Sequence, residues 1–352
     1  MNLAHTHHKE IPSLDGWRAV AIAIVFLSHA GLGELVPGGL GVTIFFFLSG
    51  YLITTLLLRE YGATRTIQIR NFYIRRALRL TPPLVLVLVG AYLLTAAGLL
   101  QGNATWRGFF AQLFYFANYY VLFFDPGHTV PRGTGIFWSL AVEEHFYFVF
   151  PALLLLLLGR IRHALIPVFL ALLCVLVLSW RLHLVAMPDF SMSRTYYATD
   201  TRIDSILYGC ILATVSLPQR WQAALRSKVA SRLGIAGGAL VILLTLLVRE
   251  ESFREGLRYS LQGLALIPLF YYSIGDSTSF LHRLLNLSVM RKIGVYSYSI
   301  YLIHHILLEN LEAMSPSPLL NGLAAAAVAL LFAFLIDRYL DTYLRQLRVR
   351  FR

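Results

Sequence analysis

Charge is what this chain lacks most. Only 14 % of its 352 residues are Asp, Glu, Lys or Arg, where ordinary soluble domains carry about 25 %. With 57 % hydrophobic residues and a mean hydropathy of +0.66, that deficit excludes a soluble globular protein. It implies an all-α, polytopic integral membrane bundle. Cysteine is scarce as well. Cys174 and Cys210 both fall in apolar stretches and read as small buried hydrophobes, so neither a disulfide framework nor a metal site is expected. No GxSxG, HExxH, CxxC or Walker-type loop occurs, which leaves nucleophilic-serine, zinc and NTPase chemistry without support. Acidic residues number 18 against 30 basic ones. The excess matters through its position in loops and does not signal nucleic acid. No cleavable leader is expected, because residues 1–16 are polar and no small-x-small site follows the first apolar stretch. His5, His7 and His8 suggest a metal-binding tail, but a solvated terminus explains them more simply.

Apolar stretches of spanning or near-spanning length fall at 17–33, 40–58, 80–100, 106–124, 136–158, 164–184, 203–217, 233–248, 257–274, 293–311 and 320–340. Basic short loops should be cytoplasmic. Loop 59–79 holds Arg59, Arg65, Arg70, Arg75, Arg76 and Arg79, whereas loop 31–39 holds only Glu34. The N-terminus is therefore inside. Loops 159–163, 218–232 and 276–292, and the tail with Arg345, Arg348, Arg350 and Arg352, are also basic and also want the inside. Between residues 79 and 159 an even number of crossings must then occur, yet three candidates lie there. Segment 106–124, with Gln112, Asn118 and its aromatics, is demoted to a re-entrant or interfacial piece. Ten spans result, with both termini cytoplasmic. The expected layout is a cytoplasmic tail at 1–16, one membrane domain at 17–340 and a basic cytoplasmic tail at 341–352.

What is present inside the spans carries the chemistry. Ionisable residues in a bilayer are costly and mark function by default. Arg18 and His29 sit in WRAVAIAIVFLSHAGLG, residues 17–33. Eleven positions make about three turns, so both side chains leave the same helix face, about 16 Å apart along the axis. FWSLAVEEHFYFVFP, residues 137–151, holds Ser139, Glu143, Glu144, His145 and Tyr147. The ten-span count places His29, the two glutamates and His304 at one level in the outer half of the membrane. RNFYIRRALRLTPP, residues 70–83, puts Arg75 and Arg79 on one helix face with Arg76 alongside. Guanidinium forks suit phosphates, although a positive-inside anchor on lipid head groups explains them equally well. Phe72 and Tyr73 beside them are candidates to cover a nucleotide base. In GVYSYSIYLIHH, Ser297, Tyr301 and His304 form one stripe, and His305 points elsewhere. Asp200, Arg202 and Asp204, in DTRID, either bind a polar acceptor or pair with each other. Gly50 permits a close helix approach.

Five segments, SLDGWRAVAI with the Arg18–His29 spacing, FFFLSGYLIT, RNFYIRRALRLTPP, WSLAVEEHFYFVFP and YSYSIYLIHH, resemble in order and spacing the membrane-bound acyltransferase-3 family over about residues 12–340. Trp17, Ala19, Leu84 and His145 depart from the family's usual residues. The resemblance implies a multi-pass enzyme of the bacterial cytoplasmic membrane that O-acylates sugars or other glycosylated acceptors. It implies acyl-CoA, most simply acetyl-CoA, as co-substrate, with no tightly bound cofactor. No fused SGNH-type esterase domain is read, so any second transfer step would need a separate periplasmic partner. On this reading Arg75, Arg76 and Arg79 meet the donor's phosphates, and Arg18 holds a phosphate or Asp15. His29 is general base or acyl relay, Glu143 or Glu144 orients it, and Tyr301 or Tyr147 serves the oxyanion. A transporter or flippase for an anionic metabolite fits the same polar stripe, but no inverted repeat or paired Gly/Pro interruption supports it.

Overall fold

The computed structural model describes residues 11–124, 129–312 and 317–351. Seventeen α-helices occur among them, and no strand: α1 (Pro12–Leu27), α2 (Gly38–Thr64), α3 (Ile69–Ala96), α4 (Trp106–Leu113), α5 (Ala117–Phe123), α6 (Trp138–Arg160), α7 (Ile166–Val185), α8 (Met192–Tyr197) and α9 (Thr199–Thr214) fill the first part. The rest are α10 (Gln219–Leu225), α11 (Lys228–Leu247), α12 (Glu251–Glu255), α13 (Arg258–Gly275), α14 (Phe280–Leu285), α15 (Ser288–Glu312), α16 (Pro318–Leu335) and α17 (Thr342–Val349). Six helical stretches are long and apolar enough to cross a membrane: 38–64, 69–96, 134–160, 163–185, 228–247 and 318–349. The protein is therefore a multi-pass helical membrane protein. Exposed leucines and valines on α7, α11 and α16 form the lipid-facing skin, while the core lies along α1, α2, α6, α9 and α15.

The demoted segment 106–124 folds as α4 and α5, of 8 and 7 residues, broken where Tyr115 takes φ 56°. At 1.5 Å per residue neither crosses a bilayer. The histidines at 5, 7 and 8, and Arg352, lie outside the described residues.

Two glycine-mediated helix pairs set the geometry of the interior. A Cβ on Gly50 of α2 would stand 1.9 Å from the Ile206 carbonyl oxygen of α9, and one on Gly209 would stand 1.9 Å from that of Phe47. The backbones touch reciprocally, as small-residue membrane interfaces require. A Cβ on Gly294 of α15 would meet the Asp15 carbonyl of α1 at 1.8 Å. This pairing lays α1 against α15 and so brings residue 29 to the level of residues 304 and 305.

The first apolar stretch is not one continuous helix. Pro12 starts α1 at its N-terminal turn, where a missing N–H costs nothing. After Leu27 the backbone widens into a π turn at Ser28–Leu32, and it leaves helical geometry at Ala30 and at Gly31, with φ +92°. Gly31 accepts that angle because it has no Cβ. His29 therefore sits at the start of the widened turn, just before the backbone leaves helical geometry.

Candidate active site

Two cavities succeed one another along α1. The first, about 900 Å³ including its mouth, is lined by Arg18, Arg76, Arg79, Glu143, Glu144 and Tyr147, with Ser49, Ser139, Tyr298 and Tyr301 among the others. The second, about 880 Å³, is lined by Ser28, His29, His305, Trp138, Tyr196 and Tyr197, with Gly38, Gly39 and Tyr301. Val42 and Tyr301 line both and form the septum. There Ser139 Oγ and Tyr301 Oη lie 2.6 Å apart, and both reach the Ile136 carbonyl, at 3.3 and 3.0 Å.

At the second cavity three imidazoles meet. His29 Nδ1 lies 3.0 Å from His304 Nε2, and His304 Nδ1 lies 2.8 Å from the Tyr301 carbonyl oxygen. That oxygen only accepts, so His304 Nδ1 carries the proton. Neutral His304 then accepts at Nε2, and His29 must donate from Nδ1. His29 Nε2 is left with its lone pair. His29 is exposed, while His304 is 0 % exposed. The buried histidine fixes the tautomer and leaves the Nε2 lone pair on the open one.

His305 completes the group. Its ring centroid is 4.3 Å from that of His29. His305 Nδ1 donates to the Gly133 carbonyl at 3.2 Å, and Nε2 is 3.4 Å from Glu309. Arg132 Nε donates to the other Glu309 oxygen at 2.5 Å. The sequence reading sent His305 elsewhere and passed over Glu309, Arg132 and Gly133. The i, i+4 spacing of His305 and Glu309 was visible, but not the loop that places Gly133 and Arg132 against α15.

The glutamates belong to the first cavity. Glu143 Oε2 accepts from Tyr147 Oη at 2.6 Å, and that hydroxyl is also 2.9 Å from Ser49 Oγ. The Arg76 guanidinium stacks 3.8 Å over the Tyr147 ring. Among the described residues neither glutamate hydrogen-bonds to a histidine; His304 holds the orienting position that the sequence reading gave to Glu143 or Glu144. Tyr147 and Tyr301 both spend their hydroxyls on protein partners. Arg18 Nη1 pairs with Asp15 at 2.5 Å and still lines the cavity. Arg75 is separated from its neighbours: it donates to the Phe351 carbonyl at 2.6 Å and pairs with Glu60 at 3.3 Å. The cavity pair is Arg76 and Arg79, at i, i+3. Phe72 is buried, and Tyr73 donates to the Phe148 carbonyl at 2.5 Å, so both pack on the protein.

Of the DTRID residues, none pairs with another. Asp200 binds Arg194 at 2.5 Å and Trp180 at 2.8 Å. Asp204 forms a fully buried fork with Arg181 at 2.9 and 3.1 Å. Arg202 is 0 % exposed and lies 3.8 Å over Tyr259, within 6 Å of Trp138 and Tyr196. His145, a departure from the family pattern, bonds Thr199 at 2.7 Å and does not line the glutamate cavity. Trp17 donates to Ser273 at 2.9 Å and stacks on Phe270, a packing role.

Comparison with known proteins follows this geometry. A peptidoglycan O-acetyltransferase OatA of Listeria monocytogenes serovar 1/2a is 31 % identical over 355 residues, covering 96 % of this chain and 56 % of that protein. A putative peptidoglycan O-acetyltransferase YrhL of Bacillus subtilis is 33 % identical over 314 residues, covering 85 % of this chain and 49 % of that one. A putative O-acetyltransferase of Staphylococcus aureus strain COL is 29 % identical, covering 96 % and 57 %. The chain thus spans about half the length of these curated relatives. No solved structure matches it. The acyltransferase domain model, acyltransferase 3, matches residues 11–338, nearly the whole sequence, and the chain belongs to that family.

Proposed function

We propose that the chain is a membrane O-acetyltransferase that moves an acetyl group from acetyl-CoA on the cytoplasmic side to a carbohydrate hydroxyl on the outer side. The observation that carries this reading is the hydrogen-bond chain Tyr301 carbonyl–His304–His29, which leaves a lone pair on His29 Nε2 at the second cavity. A hydroxyl is a poor nucleophile and needs such a base. The hydroxyl oxygen attacks the thioester carbonyl, and His29 Nε2 takes its proton. The C–S bond then breaks, and the proton passes to the departing sulfur. His304 Nε2 accepts the Nδ1 hydrogen bond of the resulting His29 imidazolium and so stabilises it.

The arginines of the first cavity suit the donor's phosphates, Arg76 and Arg79 foremost, with Arg18 above them. Ten of the helices, α1, α2, α3, α6, α7, α9, α11, α13, α15 and α16, have 16 to 28 residues. They support the ten-span count, and the basic loops support cytoplasmic termini in a bacterial inner membrane. The relatives' names supply peptidoglycan as the first acceptor to try.

The test is thiol release by purified protein in detergent. Acetyl-CoA is supplied with and without a soluble peptidoglycan fragment. Acceptor-dependent release of free CoA thiol supports the enzyme. Binding of acetyl-CoA without thiol release would favour a transporter and overturn this reading.

A further inference from the structure

We infer that the second cavity is a sugar-ring site, in which Trp138, Tyr196 and Tyr197 form the wall that holds the acceptor while one of its hydroxyls meets His29. This rests on the acetyltransferase reading above and adds to it where, and on what chemistry, the acceptor binds.

The only lone pair left by the histidine chain lies on His29, which lines this cavity and not the first. A hydroxyl to be deprotonated must therefore enter here. The other side chains of the cavity then decide what carries that hydroxyl. Trp138, Tyr196 and Tyr197 stand in mutual contact, with ring centroids 4.9 to 5.2 Å apart and steep angles between the planes. Such rings offer apolar faces edged by hydroxyl groups. A pyranose has the matching form, an apolar C–H face and a rim of hydroxyls. An alkyl chain would leave the polar edge formed by the tyrosine hydroxyls, Ser28 and the histidines without partners.

The wall is held in place from behind. Arg202 is fully buried, donates from Nη2 to Thr43 at 3.3 Å, and is flanked by Tyr259, Phe46, Trp138 and Tyr196. The guanidinium braces Trp138 and Tyr196 on their protein side. Gly38 and Gly39 line the same cavity without side chains: a Cβ on Gly38 would come within 2.7 Å of Ser28 Oγ, and one on Gly39 would stand 3.6 Å from the Tyr196 ring.

Tyr197 is the residue to change first, because Trp138 and Tyr196 also pack on Arg202. Tyr197→Leu should raise the KM for N-acetylglucosamine tetramer as acceptor by about tenfold and leave the KM for acetyl-CoA unchanged. Tyr197→Phe keeps the ring and should stay within about threefold of wild type. Separately, titration of the tetramer into the donor-free protein should change the fluorescence of Trp138, and a Trp138→Phe control should lose that change. An acceptor KM unmoved by Tyr197→Leu, or transfer to 1-octanol in preference to the tetramer, would overturn the site. If wild type binds the tetramer but releases no thiol, the acetyltransferase reading fails while the sugar site stands.

Discussion

His29 and His304 are joined by a 3.0 Å contact between Nδ1 and Nε2, across 275 residues of sequence. Because His304 spends its other nitrogen on the Tyr301 carbonyl, the pair can be written with only one arrangement of protons while both rings are neutral. On the proposed function the buried histidine orients the exposed one, the part a carboxylate plays in a hydrolase triad. His304→Phe should therefore retain fold and donor binding while lowering kcat by about 10²- to 10⁴-fold. The measurement is steady-state acetyl transfer beside a melting curve. Loss of kcat without loss of Tm is the expected pair of results.

Glu309 acts at one remove. It touches His305 and Arg132, and reaches His29 only through the His305 ring. A supporting partner of this kind is worth about 10- to 100-fold. Glu309→Gln should fall in the lower part of that range and Glu143→Gln should leave the His29 step less affected. Measuring kcat for both under saturating donor separates the carboxylate that serves the histidines from the one that lines the first cavity.

The arginine cluster divides in a way that a kinetic experiment can read. Arg76 lines the first cavity and Arg75 does not. Charge-assisted contacts to a phosphate are worth about 1.5–3 kcal/mol. Arg76→Ala should raise the KM for acetyl-CoA by about 10- to 100-fold, more at low salt than at high. Arg75→Ala should leave it near wild type. Equal effects would return both residues to the role of lipid-surface anchors.

Gly50 and Gly62 lie on the same helix and make a matched stability test. A Cβ at Gly50 would meet the Ile206 carbonyl at 1.9 Å, and one at Gly62 meets nothing within 4 Å. Gly50→Ala should cost about 1–3 kcal/mol through overpacking, seen as a lower Tm in detergent. Gly62→Ala should be neutral or slightly stabilising.

Much of this was legible before any coordinates. The charge deficit announced the membrane, and five motifs announced the family, because both depend on residue type and order. Of the clustered Arg75, Arg76 and Arg79, the last two line one cavity with Arg18, and Arg75 does not. The break at Ala30 and Gly31, which ends the helix just after His29, was not legible. The partner of His29 was missed for a related reason. Level in the membrane was read from topology, and it brought the glutamates and His304 together. The α1–α15 contact at Gly294 and the loop at Gly133 set the α15 histidines beside His29, while the glutamates line the first cavity with Arg18. Asp200, Arg202 and Asp204 looked free to bind a polar acceptor or to pair with each other. The partners of the two aspartates, Arg194 and Arg181, come from a short helix and from a span that local spacing cannot connect to them.

The central claim is that His29 Nε2 is the base for acyl transfer. The most direct measurement is acceptor-dependent CoA thiol release by purified His29→Ala, beside wild type, with folding checked by melting curve and donor binding by titration. A correctly folded variant that binds acetyl-CoA with wild-type affinity and transfers at least about 10²-fold more slowly is the expected result. Transfer at the wild-type rate would contradict it.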